Sequence, residues 1–150
     1  MDLILWRHAE AEEGAPDVAR RLTPRGLRQA AQMGSWLAAR LPQDSRILVS
    51  PAERAQQTAA ALVRPFVTHG GIAPGATVDA LFDATGSPGP DVTVLVVGHQ
   101  PTLGGVVSVL LTGVETFWSI PTSGLWWLDV RGHGRDSVVS VRAVIAADML

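Results

Sequence analysis

The sequence predicts an α/β fold, a three-layer α/β/α sandwich around a mainly parallel central sheet, on three observations. Short runs at residues 2–6 and 92–97 are apolar but for Asp2 and Thr93, as strands covered on both faces should be. Segments with helical apolar spacing follow such runs, each introduced by a polar-Pro or His-x-Pro start signal. Strand and helix then alternate along the first two thirds of the chain, which is the pattern of a sheet wound between helices.

The elements follow in order. Asp2-Leu3-Ile4-Leu5-Trp6 is the first strand and ends abruptly at Arg7-His8. Residues 9–21 are polar, contain Gly14 and Pro16, and read as a loop. Thr23-Pro24 starts a helix, with Thr as N-cap and Pro at the first helical position. Leu27, Ala30, Ala31, Gly34, Leu37, Ala38 and Leu41 keep its spacing until Pro42 closes it. Residues 47–49 form a second strand; Ser50-Pro51 is read as the next cap and first turn, for a helix from Ala52 to Arg64 that stops before Pro65. Residues 68–91 are rich in Gly and Pro and read as irregular, interrupted by a short strand at 77–81. The strand at 92–97 ends at Gly98-His99, and Pro101 opens a helix through Leu111. Residues 123–130 and 137–145 predict two closing strands around the turn 131–135, which add a hairpin-like edge. The adjacent Trp126 and Trp127 point to opposite faces of such a strand, so at least one enters the core.

Composition narrows the function. The 150 residues are read as one domain, 1–150, with 47% apolar residues and a formal charge of −2, which gives no pull toward nucleic acid or anionic membrane. There is no Cys, so thiol nucleophiles, Zn–thiolate sites and disulfides are excluded. Every basic residue is Arg, so a cationic site must use the planar guanidinium fork. The N-terminus lacks the pattern of a signal peptide and no run is long and apolar enough to span a membrane. The expectation is a soluble, cytoplasmic monomer.

Placed on these elements, the polar residues converge. Arg7-His8 ends the first strand, Ser50 ends the second with Arg54 just inside the following helix, and His99 ends the strong strand. In open α/β sheets, ligands gather beyond the carboxyl ends of the parallel strands. Two His and two Arg at one edge repel one another unless an anion completes the site. Helix N-termini at Pro51 and Pro101 add backbone N–H donors there. The cluster therefore asks for an oxyanion, and phosphate fits best.

These residues sit in blocks that resemble a known family. Leu5-Trp6-Arg7-His8-Ala9-Glu10, Leu22-Thr23-Pro24-Arg25-Gly26 with Gln29-Ala30, Ser50-Pro51-Ala52-Glu53-Arg54-Ala55-Gln56-Gln57-Thr58, and Val97-Gly98-His99-Gln100-Pro101 stand in the order of the histidine phosphatase superfamily, also called phosphoglycerate-mutase-like. With its short length and Thr122-Ser123-Gly124 before the final strands, essentially the whole chain is similar to the SixA type of phosphohistidine phosphatase. The resemblance implies a phosphoglycerate-mutase-like fold, His8 as nucleophile, and Arg7, Arg54 and His99 as ligands of the phosphoryl group. Ser50 and Arg21, which directly precedes Leu22-Thr23, join the substrate-binding set, while Arg20 is read as solvated. A neutral imidazole nitrogen can attack phosphorus and later leave, and guanidinium forks neutralise the spread charge, so no metal or cofactor is expected.

Two departures matter. Ala9 stands where the family commonly has Gly, which is tolerable only at negative φ. The general acid that ester hydrolysis needs is read at Asp83, with a solvated loop residue as the alternative and Glu10 as a weaker candidate. Phosphohistidine leaves as imidazole and needs such an acid less, and the chain lacks large covering insertions, so the expected partner is a phosphorylated protein. A small-molecule phosphomonoesterase is the alternative within the family, and a non-catalytic phosphate-binding adaptor the alternative outside it. His69 and His133 are read as exposed loop residues, and Trp118 as a packing residue.

Overall fold

A computed structural model of the chain describes residues 1–86, 92–132 and 137–150. Its strands are β1 (Asp2–Arg7), β2 (Arg46–Val49), β3 (Val67–Thr68), β4 (Thr93–Gly98), β5 (Leu125–Arg131) and β6 (Val138–Ile145). Its helices are α1 (Pro24–Ala38), α2 (Glu53–Ala60), α3 (Val78–Thr85) and α4 (Thr102–Thr112). The strands form one sheet in the order β3-β2-β4-β1-β5-β6. β3, β2, β4 and β1 are parallel, while β5 pairs antiparallel with β1 and β6 antiparallel with β5. The predicted sandwich and its hairpin-like edge are both present.

Alternation along the central strands divides the core into two layers. Leu3, Leu5, Val94 and Val96 pack with Leu81 of α3 and Leu103, Val106 and Val107 of α4. Ile4, Trp6, Leu95 and Val97 pack with Met33 and Leu37 of α1 and Ala55 and Ala59 of α2. Helices on both faces explain why residues 3–6 of β1 and 94–97 of β4 read as unbroken apolar runs. Trp127 is buried in the second layer, and the half-buried Trp126 packs on the first and meets Trp118 edge-on at 5.9 Å.

Thr23 caps α1 as expected: its hydroxyl oxygen accepts the Gly26 N–H at 2.9 Å. Three expectations need correction. Residues 77–81 belong to no strand; Thr77 caps α3 by accepting the Ala80 N–H at 3.0 Å, and Val78, Leu81, Ala84 and Thr85 bury one helical face. That i, i+3 spacing outweighs the strand preference of Thr77-Val78. α2 is shorter than predicted and ends at Ala60, and the chain turns away through Val63 at φ 54°. Its N-cap is Ala52 rather than Ser50, whose hydroxyl instead accepts the Ala52 N–H at 3.2 Å. His133, in the turn predicted at 131–135, lies outside the described residues.

Candidate active site

The carboxyl ends of β1, β2 and β4 deliver Arg7-His8, Ser50 and His99 to one edge. The ladder runs on past the strands: His8 N–H donates to the Gly98 carbonyl at 3.0 Å and Ser50 N–H to that of Val97 at 3.1 Å. Neighbouring elements then clamp the segment after β1. The His8 carbonyl accepts the Ser123 N–H at 3.0 Å, and the Ser123 hydroxyl accepts from Trp6 Nε1 and donates to the Gln29 carbonyl, each at 3.2 Å. Ser123 takes the left-handed conformation, φ 57°, to reach all of them. Ala9 N–H donates to the Thr58 hydroxyl of α2 at 3.0 Å, which donates in turn to the Arg54 carbonyl at 2.7 Å. Ala9 does not have positive φ, so its methyl group is accommodated.

His8 is held in one orientation. Its Nδ1 lies 2.7 Å from the Ala9 carbonyl, an acceptor only, so Nδ1 carries the proton and the neutral ring keeps its lone pair on Nε2. Burial pulls its pKa down to about 4; the Arg54, Arg7 and Arg20 charges push the same way, against the Ala9 hydrogen bond. The ring is therefore uncharged at neutral pH. His99 faces it with ring centroids 5.1 Å apart. Burial, then the neighbouring His8 and Arg54, bring the His99 pKa down to about 3. Its Nε2 is 2.7 Å from the Ser50 hydroxyl.

Two guanidiniums complete the cluster. Arg7 Nη1–H donates to the Ile120 carbonyl at 2.6 Å, and burial lowers its pKa. Arg54 is only 5% exposed and donates from Nη1 to the Asp17 carbonyl at 2.8 Å and from Nη2 to the Asp17 carboxylate at 3.0 Å. Four buried side-chain nitrogens have no hydrogen-bond partner among the described residues, and three of them are Arg7 Nε, Arg54 Nε and His99 Nδ1. An unpaired buried donor is costly; the Arg7 and Arg54 Nε–H groups are such donors, and His99 Nδ1 joins them when its Nε2 accepts the Ser50 hydroxyl proton, so an oxyanion would satisfy the cluster.

The structure thus brings together Arg7, His8, Ser50, Arg54 and His99, but not the other expected residues. Asp83 is exposed on the last turn of α3. That turn lies at the far end of the sheet, where Arg46, the first residue of β2, donates to the Thr85 carbonyl at 3.1 Å. α3 starts at the site end, where Thr102 donates to the Ala76 carbonyl, and runs away from it. The reading of Asp83 as general acid is corrected on that ground. Glu10 is engaged with α1, accepting the Thr23 hydroxyl at 2.7 Å and lying 3.6 Å from Arg25. Arg21 has a side chain 65% exposed and pairs with Glu53 at 3.3 Å rather than with a residue of the cluster. Arg20 is the reverse of its expectation: held by the Glu12 carbonyl at 2.7 Å and by Asp17 at 3.1 Å, it turns its charge on His8.

Asp17 and Arg20 are the members that the sequence concealed. Asp17, in the short helical turn Asp17–Ala19, joins Arg20 to Arg54, and these guanidiniums hold its carboxyl below the usual range. Their i, i+3 spacing is the one signal that links them, and it is common on any helical turn. His69 takes no part in this cluster's hydrogen bonds; its Nδ1 accepts the Gly71 N–H at 2.9 Å. Among the described residues no three His, Cys, Asp or Glu side chains group as potential metal ligands, and no helix is long and apolar enough to cross a membrane.

Comparison with known proteins agrees with this geometry. The model of the histidine phosphatase superfamily (branch 1) matches residues 3–72. An uncharacterized protein of Mycobacterium tuberculosis (strain H37Rv) is 37% identical over 146 residues, covering 87% of this chain and 90% of its own. Phosphohistidine phosphatase SixA of Escherichia coli (strain K12) is 32% identical over 148 residues, covering 89% of each. The structure of a protein histidine phosphatase SixA complexed with tungstate has a TM-score of 0.78 at 24% identity, over 99% of both chains, which speaks for the fold. On the superfamily match and the extent of these relatives, the chain belongs to the histidine phosphatase superfamily, a family of phosphatase hydrolases.

Proposed function

We propose that this protein is a phosphohistidine phosphatase that works through a covalent phospho-His8 intermediate, with no metal or cofactor. The observation that carries this reading is the neutral His8 ring, its Nδ1 tied to the Ala9 carbonyl and its Nε2 lone pair free, beside the buried Nε–H groups of Arg7 and Arg54 and His99 Nδ1, none of which has a partner among the described residues. In the first displacement, Nε2 attacks phosphorus while the bond to the substrate nitrogen breaks, and the departing imidazole takes up a proton from solvent. In the second, water attacks the phosphoryl group, the P–Nε2 bond breaks, and inorganic phosphate leaves. Arg7, Arg54 and His99 hold the equatorial oxygens throughout, and protonation of His99 as the dianion binds adds a further positive charge. Ser50 fixes the His99 ring. The guanidiniums supply the neutralisation that a metal gives elsewhere, and would repel a divalent cation.

The carboxylate nearest the cluster's charges supports the nitrogen leaving group. Asp17 is held ionised by Arg20 and Arg54, so it is no proton donor at neutral pH. An alkoxide needs such a donor; imidazole needs it far less. The name of the Escherichia coli relative supports the same substrate class. The reading is completed by a single-domain monomer acting on a phosphorylated protein in a cytoplasmic signalling route.

The test is turnover in EDTA of a phosphohistidine-bearing domain and, separately, of an aryl phosphate. His8→Ala runs beside each, with an acid-free quench to trap phosphate on the enzyme. Rapid loss of phosphohistidine, with label on the wild type and none on the variant, is the expected result. Ester hydrolysis alone would keep the intermediate and make the protein a small-molecule phosphomonoesterase. Tight oxyanion binding with no turnover would make it an adaptor, and activity only on metal addition would overturn the metal-free mechanism.

A further inference from the structure

A cavity of about 620 Å³ opens between the first turns of α3 and α4 and the segment that follows α4. Both of its sides connect directly to the active site. Pro101, two residues past His99, forms one side. Phe117, on the other, is three residues before Ile120, whose carbonyl holds Arg7.

The walls are pinned. The Gln100 side chain accepts the Gly104 N–H and donates to the Trp118 carbonyl, both at 2.7 Å. The Ser108 hydroxyl accepts the Thr116 N–H at 2.8 Å, and the Thr102 hydroxyl donates to the Ala76 carbonyl at 2.6 Å. A Cβ at Gly104 would sit 1.9 Å from the Trp118 carbonyl oxygen, so the segment needs glycine there to lie this close to α4. Such a cleft is set before any ligand arrives.

Its lining has one sign of charge. Asp79 and Glu115 both face it, and neither makes an ion pair or a side-chain hydrogen bond among the described residues. The Glu115 carboxylate lies against Gly105 of α4, 3.5 Å from where a Cβ would stand. Phe117 is 67% exposed at the rim. Two uncompensated carboxylates and an open aromatic ring suit a cation on an apolar stem, which gains from both.

We propose that this cleft receives a Lys or Arg side chain of the phosphorylated partner protein, on the flank of the phosphoresidue held at His8. The inference rests on the protein substrate proposed above. The anion-seeking cluster and the acidic cleft stand side by side, so a partner with a basic residue beside its phosphoryl group matches both. One with an acidic flank is repelled at the second.

The test uses phosphohistidine peptides that differ only in one flanking residue, Lys, Ala or Glu, walked through the neighbouring positions. Wild type and the isosteric double variant Asp79→Asn/Glu115→Gln are compared, with phosphoramidate as a small substrate that cannot reach the cleft. The wild-type KM should be lowest with Lys at one position, by about fivefold relative to Ala, and that preference should fade in high salt. In the double variant the preference should vanish while phosphoramidate turnover stays unchanged, which also shows that the variant is folded. Equal KM values for all three peptides, or a Lys preference that survives in the double variant, overturn the proposal. Phosphoserine peptides run in parallel: if only these turn over, the phosphohistidine reading fails while the Lys dependence still decides the cleft. If instead a small ammonium phosphate ester is the only substrate, and its KM rises in the double variant, the cleft takes a small cation and the protein assignment is overturned.

Discussion

His8 and Asp17 show how differently single residues enter this site. His8 ends an apolar strand, and its placement follows from where β1 stops. Replacing it with Ala should reduce turnover by at least about a thousandfold while tungstate still binds, because the nucleophile is lost and the guanidiniums are not. Isothermal titration beside a turnover assay separates the two. Asp17 sits in a polar loop and reaches the site only through Arg54 and Arg20. Asp17→Asn removes a negative charge beside the anion site and loosens Arg54. Oxyanion affinity at low salt should therefore rise about three- to tenfold while kcat falls. An unchanged affinity would mean that the Asp17 charge does not reach the bound anion. Arg7 and His99 were legible because each adjoins a strand end, and Arg54 because it lies in the first turn of the helix that follows one; Arg20 was misread because its loop gives no period from which to infer its direction.

Within elements, close approach decides more than propensity. α1 lies so close to the loop after His8 that a Cβ at Gly26 would stand 2.0 Å from the Glu10 carbonyl oxygen. Gly26→Ala should therefore destabilise the protein by about 2–4 kcal/mol despite the better helix propensity of Ala. A lower urea midpoint at unchanged m-value would show it. Thr23→Ala removes the α1 cap together with the Thr23 hydrogen bond to Glu10, and should cost about 1–2 kcal/mol. α3 shows the limit of local reading. Its eight residues present Val78 and Leu81 to the core at helical spacing, but so short a segment fits either period until its neighbours are placed. Once it is a helix leading away from the site, Asp83 is carried to the far end with it.

The charge arrangement sets a property of the whole molecule. The His8 and His99 pKa values, about 4 and about 3, lie below the ordinary 6.5, so the unfolded chain binds more protons than the folded one below that pH. Stability is fully present above pH 6.5. It falls as pH drops, by up to about 1.4 kcal/mol per pH unit for each ring, until His8 titrates near 4 and His99 near 3. Denaturant midpoints from pH 7 to pH 4 would reveal this slope, and His99→Ala should flatten part of it. A bound dianion reverses the preference at His99 by stabilising its protonated ring, a single proton taken up. Sulfate, whose charge is constant over this range, should bind up to about tenfold tighter per pH unit lowered.

The sequence by itself determined the sheet, its covered central strands, the α1 cap and the carboxyl-end placement of Arg7, His8, Ser50, Arg54 and His99. These follow from the apolar period and from where each run stops, both of which are local. Only the tertiary structure decided the helical state of residues 78–85, the exclusion of Asp83 and Arg21, the entry of Asp17 and Arg20, and the acidic cleft beside His99. Each depends on which loop or helix end is packed against which strand, and on which buried donors are left without partners. Those are contacts between residues distant in the chain, and no local period encodes them.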